Sequence, residues 1–204
     1  MGKYHNQYCD LKVKLAGRKA RNNGSEFESL IDRALLRYKA LRIAYIEKTP
    51  EPMRPLSRPD ARGHFTAIYT KSAQPDYKGT LKGGRSIVFE AKHTEAPRIE
   101  KDRVSEEQAE ALSRHERLGA ICFVLVSFRF ENFYAVPWEV WRNIEQKFGK
   151  KSLNENDLLP YTVPGIMSFL DNVLTREIIK ETGLSPIQII NAGVTGSGGA
   201  AAEV

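Results

Sequence analysis

With 204 residues and a formal net charge of +6, the chain is long enough for one domain with a full core and basic enough to favour a polyanionic partner, nucleic acid ahead of a membrane surface. Its two cysteines, Cys9 and Cys122, give neither a disulfide framework nor a zinc spacing, which fits a reducing compartment. The first residues lack an apolar signal core, Asn6 stands where a myristoylation signal needs Ser or Thr, and the longest apolar stretch, around Ala120 to Val126, is too short to span a bilayer. A soluble, cytoplasmic protein is expected.

Residues 1 to 23 carry Lys3, Lys12, Lys14, Arg18, Lys19 and Arg21 against Asp10 alone, with no apolar period to dock them. They read as a flexible basic arm that contacts phosphates, the alternative being a solubilising tail. Asn22-Asn23-Gly24-Ser25 reads as a turn and helix cap, with Glu26 and Glu28 in the first turn of a helix whose buried face is Phe27, Leu30, Ile31, Ala34, Leu35 and Tyr38. A short strand over Leu41 to Ile46 follows.

Pro50, Pro52, Pro55 and Pro59, interspersed with Arg54, Arg58 and Arg62, forbid a helix or a central strand, so residues from about 49 to 66 are expected to form a stiff projecting excursion. Strand-like residues resume at Phe65 to Tyr69, and Asp76 is expected to close that strand at a turn. Gly79, Gly83 and Gly84 would then form the loop of a hairpin returning over Ser86 to Lys92. On that strand Glu90 and Lys92 share one face.

Ser105-Glu106-Glu107-Gln108 opens a helix to about Arg117; Gly119 to Phe130 and Phe133 to Trp138 read as strands, and Trp138 to Phe148 returns to helical spacing. Residues 150 to 164 look linker-like, Met167 to Lys180 and Pro186 to Asn191 look helical, and the Gly/Ala/Ser-rich end from Gly193 looks disordered. The expected organisation is an arm over 1–23, a catalytic domain over 24–148, a helical extension over 149–192 and a tail over 193–204. The order of elements is α/β with a mixed sheet flanked by helices.

Asp76, Glu90 and Lys92 carry the chemistry. Hydrolysis of a phosphodiester needs charge neutralisation and an activated water; two hard carboxylate ligands suit Mg²⁺, and a lysine beside them can orient the water or stabilise the transition state. Asp-x13-Glu-x-Lys alone is a weak pattern, equally consistent with a surface hairpin bearing a Glu–Lys pair. Glu28 is a possible additional acid, or a stabiliser of the helix dipole; His93 reads as a polar surface residue, and Tyr77 as packing.

Gly24-x-x-Phe27-Glu28, Ile46-Glu47-Lys48-Thr49-Pro50-Glu51-Pro52, Asp76-Tyr77-x-Gly79, Phe89-Glu90-Ala91-Lys92, Gln108 and Gly119-Ala120-Ile121-Cys122-Phe123 together resemble the RecU family of Holliday junction resolvases. The match covers Gly24 to Trp138, and the chain past Phe148 extends beyond it. The resemblance implies a restriction-endonuclease-like core with a projecting stalk inserted between early strands, and a homodimer that nicks four-way DNA junctions symmetrically with Mg²⁺ or Mn²⁺. It makes Asp76, Glu90 and Gln108 metal ligands, Lys92 the catalytic lysine, and Arg54, Arg58 and Arg62 of the stalk DNA contacts; Lys48 and, from the charge of the arm, Lys14, Arg18, Lys19 and Arg21 are further DNA-contact candidates. Recombinase or branch-migration proteins are candidate partners. Where that family has Thr two residues before the aspartate this chain has Gln74, an outer metal ligand by position, and Pro75 replaces a second Thr. The competing readings are a non-catalytic junction-binding recombination accessory protein and a sequence-specific restriction endonuclease of the same fold.

Overall fold

The computed structural model describes residues 2–50, 52–69, 74–183, 185 and 188, and the side chains of these apart from 2–16, 18 and 69. A six-stranded sheet is the frame. In spatial order its strands are β1 (Ala44–Lys48), β4 (Tyr77–Leu81), β5 (Ser86–Thr94), β7 (Ile121–Phe128), β8 (Asn132–Pro137) and β10 (Thr162–Val163). Only the β5–β7 pair is parallel; every other neighbour is antiparallel, so the sheet is mixed as expected.

Each face of the sheet has its own apolar cluster. On one side α1 (Gly2–Ala40) and α6 (Phe169–Thr182) pack Phe27, Ile31, Ala34, Tyr38, Phe169 and Leu170 against Tyr77, Phe89, Phe123 and Leu125. Tyr77, Phe89 and Phe123 stack in series at 4.8 and 4.7 Å between centroids, with Phe169 edge-on to Phe89 at 5.6 Å, an arrangement that favours aromatic pairs beyond their buried area. On the other side α2 (Glu106–Arg117), α3 (Trp138–Arg142) and α4 (Ile144–Phe148) bury Leu112, Trp138, Trp141 and Ile144 against Val88, Val124, Val126 and Val136. Strand β7 is buried along its whole length, which is why its sequence is continuously apolar rather than alternating.

Several expectations are corrected. The basic stretch over 2–23 is not separate from the first helix: α1 runs unbroken from Gly2 through Asn22-Asn23-Gly24, where the sequence suggests a turn. Asn and Gly cost up to about 1 kcal/mol each in a helix interior, a deficit that the Lys-, Arg-, Leu- and Ala-rich flanks outweigh. Asp76 does not end the strand begun at Phe65. That segment instead forms β3 (Ala67–Tyr69), which pairs only with β2 (Met53–Pro55) as a separate two-stranded ribbon. The proline-rich excursion is therefore a β-ribbon projecting between β1 and β4. Its tip is folded by Asp60, whose Oδ1 accepts from the backbone N–H groups of Arg62 and His64 at 2.8 and 2.9 Å.

Gly79 lies inside β4 rather than in a loop. A Cβ there would meet Tyr45 O at 2.2 Å and Ile46 Cα at 2.5 Å, so β1 and β4 approach this closely only because the side chain is absent. Gly83 and Gly84, with φ near +92° and +91°, make the β4–β5 turn.

Residues after Phe148 are not an appended helical extension. β9 (Ser152–Asn154) pairs with β6 (Arg98–Glu100), α5 (Glu155–Leu158) follows it, β10 adds a strand to the main sheet, and Val163, Phe169, Leu170 and Val173 belong to the core beneath α1. The helix expected over Pro186 to Asn191 and the tail from Gly193 lie outside the described residues, Gln188 excepted. Among the described residues no helix is long and apolar enough to cross a membrane.

Candidate active site

β4 and β5 place the acidic pair. Their antiparallel register pairs Tyr77 with Phe89, so one step further Asp76 stands opposite Glu90, on the face that α2 covers. Asp76 is pinned twice: its backbone N–H donates to Glu90 Oε2 at 3.2 Å, and its Oδ2 accepts from the Ala91 N–H at 3.0 Å. Glu90 is fully buried, and Lys92 Nζ donates to its Oε1 at 2.5 Å.

The first turn of α2 completes the cluster. Ser105 is the N-cap, accepting from Gln108 N, while Gln108 Oε1 accepts from Ser105 N in a capping box. That leaves the Gln108 amide Nε2 to donate to Glu90 Oε1. Burial pushes the Glu90 carboxyl well above the ordinary carboxylate range, and the neighbouring Asp76 adds to the rise against the lowering effect of Lys92. Lys92 Nζ meets part of the charge that the two adjoining carboxylates bring to this partly buried site.

Among the described residues no cluster of three or more His, Cys, Asp or Glu side chains could enclose a metal. The oxygen ligands that meet here are the carboxylates of Asp76 and Glu90; Gln108, expected as a third ligand, instead turns its Nε2 to Glu90 while its Oε1 is held by the Ser105 N–H, so it orients a carboxylate. Such a sparse oxygen set fits a hydrated Mg²⁺-type ion, which keeps several waters, better than a closed structural site. The expected Asp76, Glu90, Lys92 and Gln108 are thus brought together.

Other expected residues are not. Gln74 Oε1 accepts from Lys78 Nζ at 2.6 Å, so its amide oxygen is engaged on the exposed side rather than by the acidic pair. Glu28 lies deep within α1, which removes the first-turn dipole role, and its Oε2 accepts from Lys48 Nζ at 2.7 Å. Lys48 is therefore held in a partly exposed ion pair with Glu28; Glu28, and behind it Asp32 and Asp76, raise its pKa against the effect of burial. Arg54, Arg58 and Arg62 are exposed on the ribbon and its tip, and Lys19 and Arg21 are exposed on α1; the side chains of Lys14 and Arg18 lie outside the described residues.

His93 is a correction. It is buried, not a surface residue, because it faces α1 and finds polar partners there: Ser127 Oγ at 3.1 Å, Glu95 Oε1 at 2.9 Å and Asn23 Nδ2 at 3.5 Å, with the Phe130 ring stacked at 4.1 Å. The hydrogen bond from His93 lowers the pKa of Glu95. Sequence reading also missed Asp32, whose Oδ1 accepts from the buried Tyr77 hydroxyl at 3.1 Å. Its position one turn after Glu28 on α1 was the available signal.

A family model described as Recombination protein U matches residues 22–171 of the chain. The chain belongs to the Recombination protein U family. The match runs past Phe148, in keeping with a C-terminal region built into the sheet and core. A curated relative, "Holliday junction resolvase RecU" of Bacillus pumilus (strain SAFR-032), is 29% identical over 167 residues, covering 75% of this chain and 78% of the relative. Among solved structures, Hjc of Archaeoglobus fulgidus, described as a Holliday junction resolvase from an archaeal hyperthermophile, aligns with a TM-score of 0.43 at 14% identity, over 68% of this chain and 93% of that one.

Proposed function

We propose that the chain is a structure-selective DNA endonuclease that resolves four-way junctions by metal-dependent phosphodiester hydrolysis. The observation that carries this reading is the convergence of Asp76, Glu90, Lys92 and Gln108 around one buried carboxylate in a chain of the Recombination protein U family. Asp76 and Glu90 would hold Mg²⁺ or Mn²⁺, which when bound supplies positive charge for the phosphoryl oxygens and acidifies a water.

The protein's own groups do the rest. Ala91 N and Gln108 Nε2 fix the two carboxylates in place, so no reorganisation is needed when substrate arrives. Lys92 Nζ sits on the open side of Glu90 with its side chain 16% exposed, where it can donate to a water or to a phosphoryl oxygen. The ribbon arginines Arg54, Arg58 and Arg62, with Lys19 and Arg21 on α1, are the phosphate contacts, which add affinity without reading sequence. A cytoplasmic homodimer matches the two-fold symmetry of a four-way junction and accounts for paired nicks.

Incubating the protein with a synthetic mobile four-way junction and with linear duplex, each with and without Mg²⁺, tests the reading. Metal-dependent paired nicks in the junction alone are expected. Cleavage of linear duplex at a fixed sequence would mark a restriction endonuclease, and salt-sensitive junction binding without any product would mark an accessory protein.

A further inference from the structure

Thr49, one residue beyond β1, continues the site by one more strand. Its backbone N–H donates to Asp76 O at 2.7 Å, extending by one step the register that pairs Lys48 with Tyr77. Thr49 therefore stands opposite Asp76, as Asp76 stands opposite Glu90. Directly opposed residues of antiparallel strands share a face, so Thr49, Asp76 and Glu90 form a row across three strands on the side that α2 covers. Lys48, on the alternate face, points instead to Glu28 of α1, which confirms the phase.

The Thr49 hydroxyl oxygen is buried and has no hydrogen-bond partner among the described residues. A buried hydroxyl left unpaired loses its hydration without return, and a bare one beside a carboxylate pair is placed to meet whatever that pair binds. The amide oxygens of Gln74 and Gln108, the neighbouring neutral oxygens, are occupied by Lys78 and by the Ser105 N–H.

We propose that the Thr49 hydroxyl is a positioning group of the metal centre, bonding a water of the hydrated divalent cation held by Asp76 and Glu90. The inference rests on the metal-dependent reading given above. It assigns the outer oxygen of the site to the strand before the ribbon rather than to the segment before Asp76.

Calorimetric titration of the metal-free full chain with Mn²⁺, in the absence of DNA, tests it with Thr49→Val, Thr49→Ala and Thr49→Ser. Val and Ala should each weaken Mn²⁺ binding about tenfold or more, the scale of lost outer-shell partners, while Ser stays within about twofold of the parent. In EDTA the Val variant should melt no lower than the parent, because it replaces an unpaired hydroxyl by a methyl of equal size. Parent-like Mn²⁺ affinity in both Val and Ala variants overturns the role of Thr49 while leaving the metal site standing. A lower melting temperature in EDTA for Val, with Mn²⁺ affinity unchanged, assigns the hydroxyl a structural role instead. Absence of Mn²⁺ binding by the parent overturns the metal-dependent reading itself.

Discussion

Gln108 faces two ways: its Oε1 accepts from the Ser105 N–H at 3.1 Å to cap α2, and its Nε2 donates to Glu90 in the acidic pair. The start of a helix is thereby tied to the orientation of a buried carboxylate. Replacing Gln108 by Leu should slow junction cleavage by about 10–100-fold, the usual effect of losing a group that orients a metal-binding side chain. Ser105→Ala removes the cap and leaves the Glu90 contact, so it should cost about 1 kcal/mol of stability with cleavage kept. Cleavage rates and thermal melts of the two variants, side by side, separate the roles.

Glu90 should make the metal-free protein less stable as pH rises from about 4.3 towards about 8. Its folded-state pKa is raised, chiefly by burial, whereas in the unfolded chain it ionises near the ordinary value of about 4.3. Above that value the unfolded state has lost the proton and the folded state retains it, so stability falls as pH rises until the folded-state pKa is passed. Glu90→Gln removes the liability. In EDTA its melting temperature should equal or exceed the parent's, with a gap that widens from pH 5 upward; a gap that narrows with rising pH would contradict the assignment.

Gly79→Ala should be among the most damaging changes outside the site. The new Cβ would lie 2.2 Å from Tyr45 O and 2.5 Å from Ile46 Cα, and backbone atoms cannot turn aside as a side chain tip can. Separation of β1 from β4 should cost at least about 2 kcal/mol, within or above the range for overpacking, measured by urea unfolding.

Tyr77→Phe separates packing from polarity. The ring keeps its 4.8 Å stack on Phe89, while the bond to Asp32 is lost. A loss of about 0.5–1.5 kcal/mol with unchanged cleavage is expected from denaturant unfolding and a junction assay.

The legible parts of the sequence were those with a local period. Phe27, Ile31, Ala34 and Tyr38 announced the buried face of α1, the run from Ile121 to Phe128 announced a buried strand, and Ser105 to Gln108 announced the start of α2. What failed depended on partners distant in sequence. Gly79 looked like a loop residue because the close approach of Tyr45 and Ile46 is a tertiary fact. His93 looked exposed because Ser127, which satisfies it, lies 34 residues away. β9 and β10 are three and two residues long, too short to show alternation. Thr49 carried no signal of its own, since only the strand register puts it beside Asp76.

The most direct test of the account is a paired measurement on Asp76→Asn and Glu90→Gln: gel-shift binding to a four-way junction, and Mg²⁺-dependent nicking of the same junction. Both variants should bind the junction as the parent does and yield no nicked product. Nicking at the parent's rate by either variant would contradict the assignment of the acidic pair as the catalytic centre.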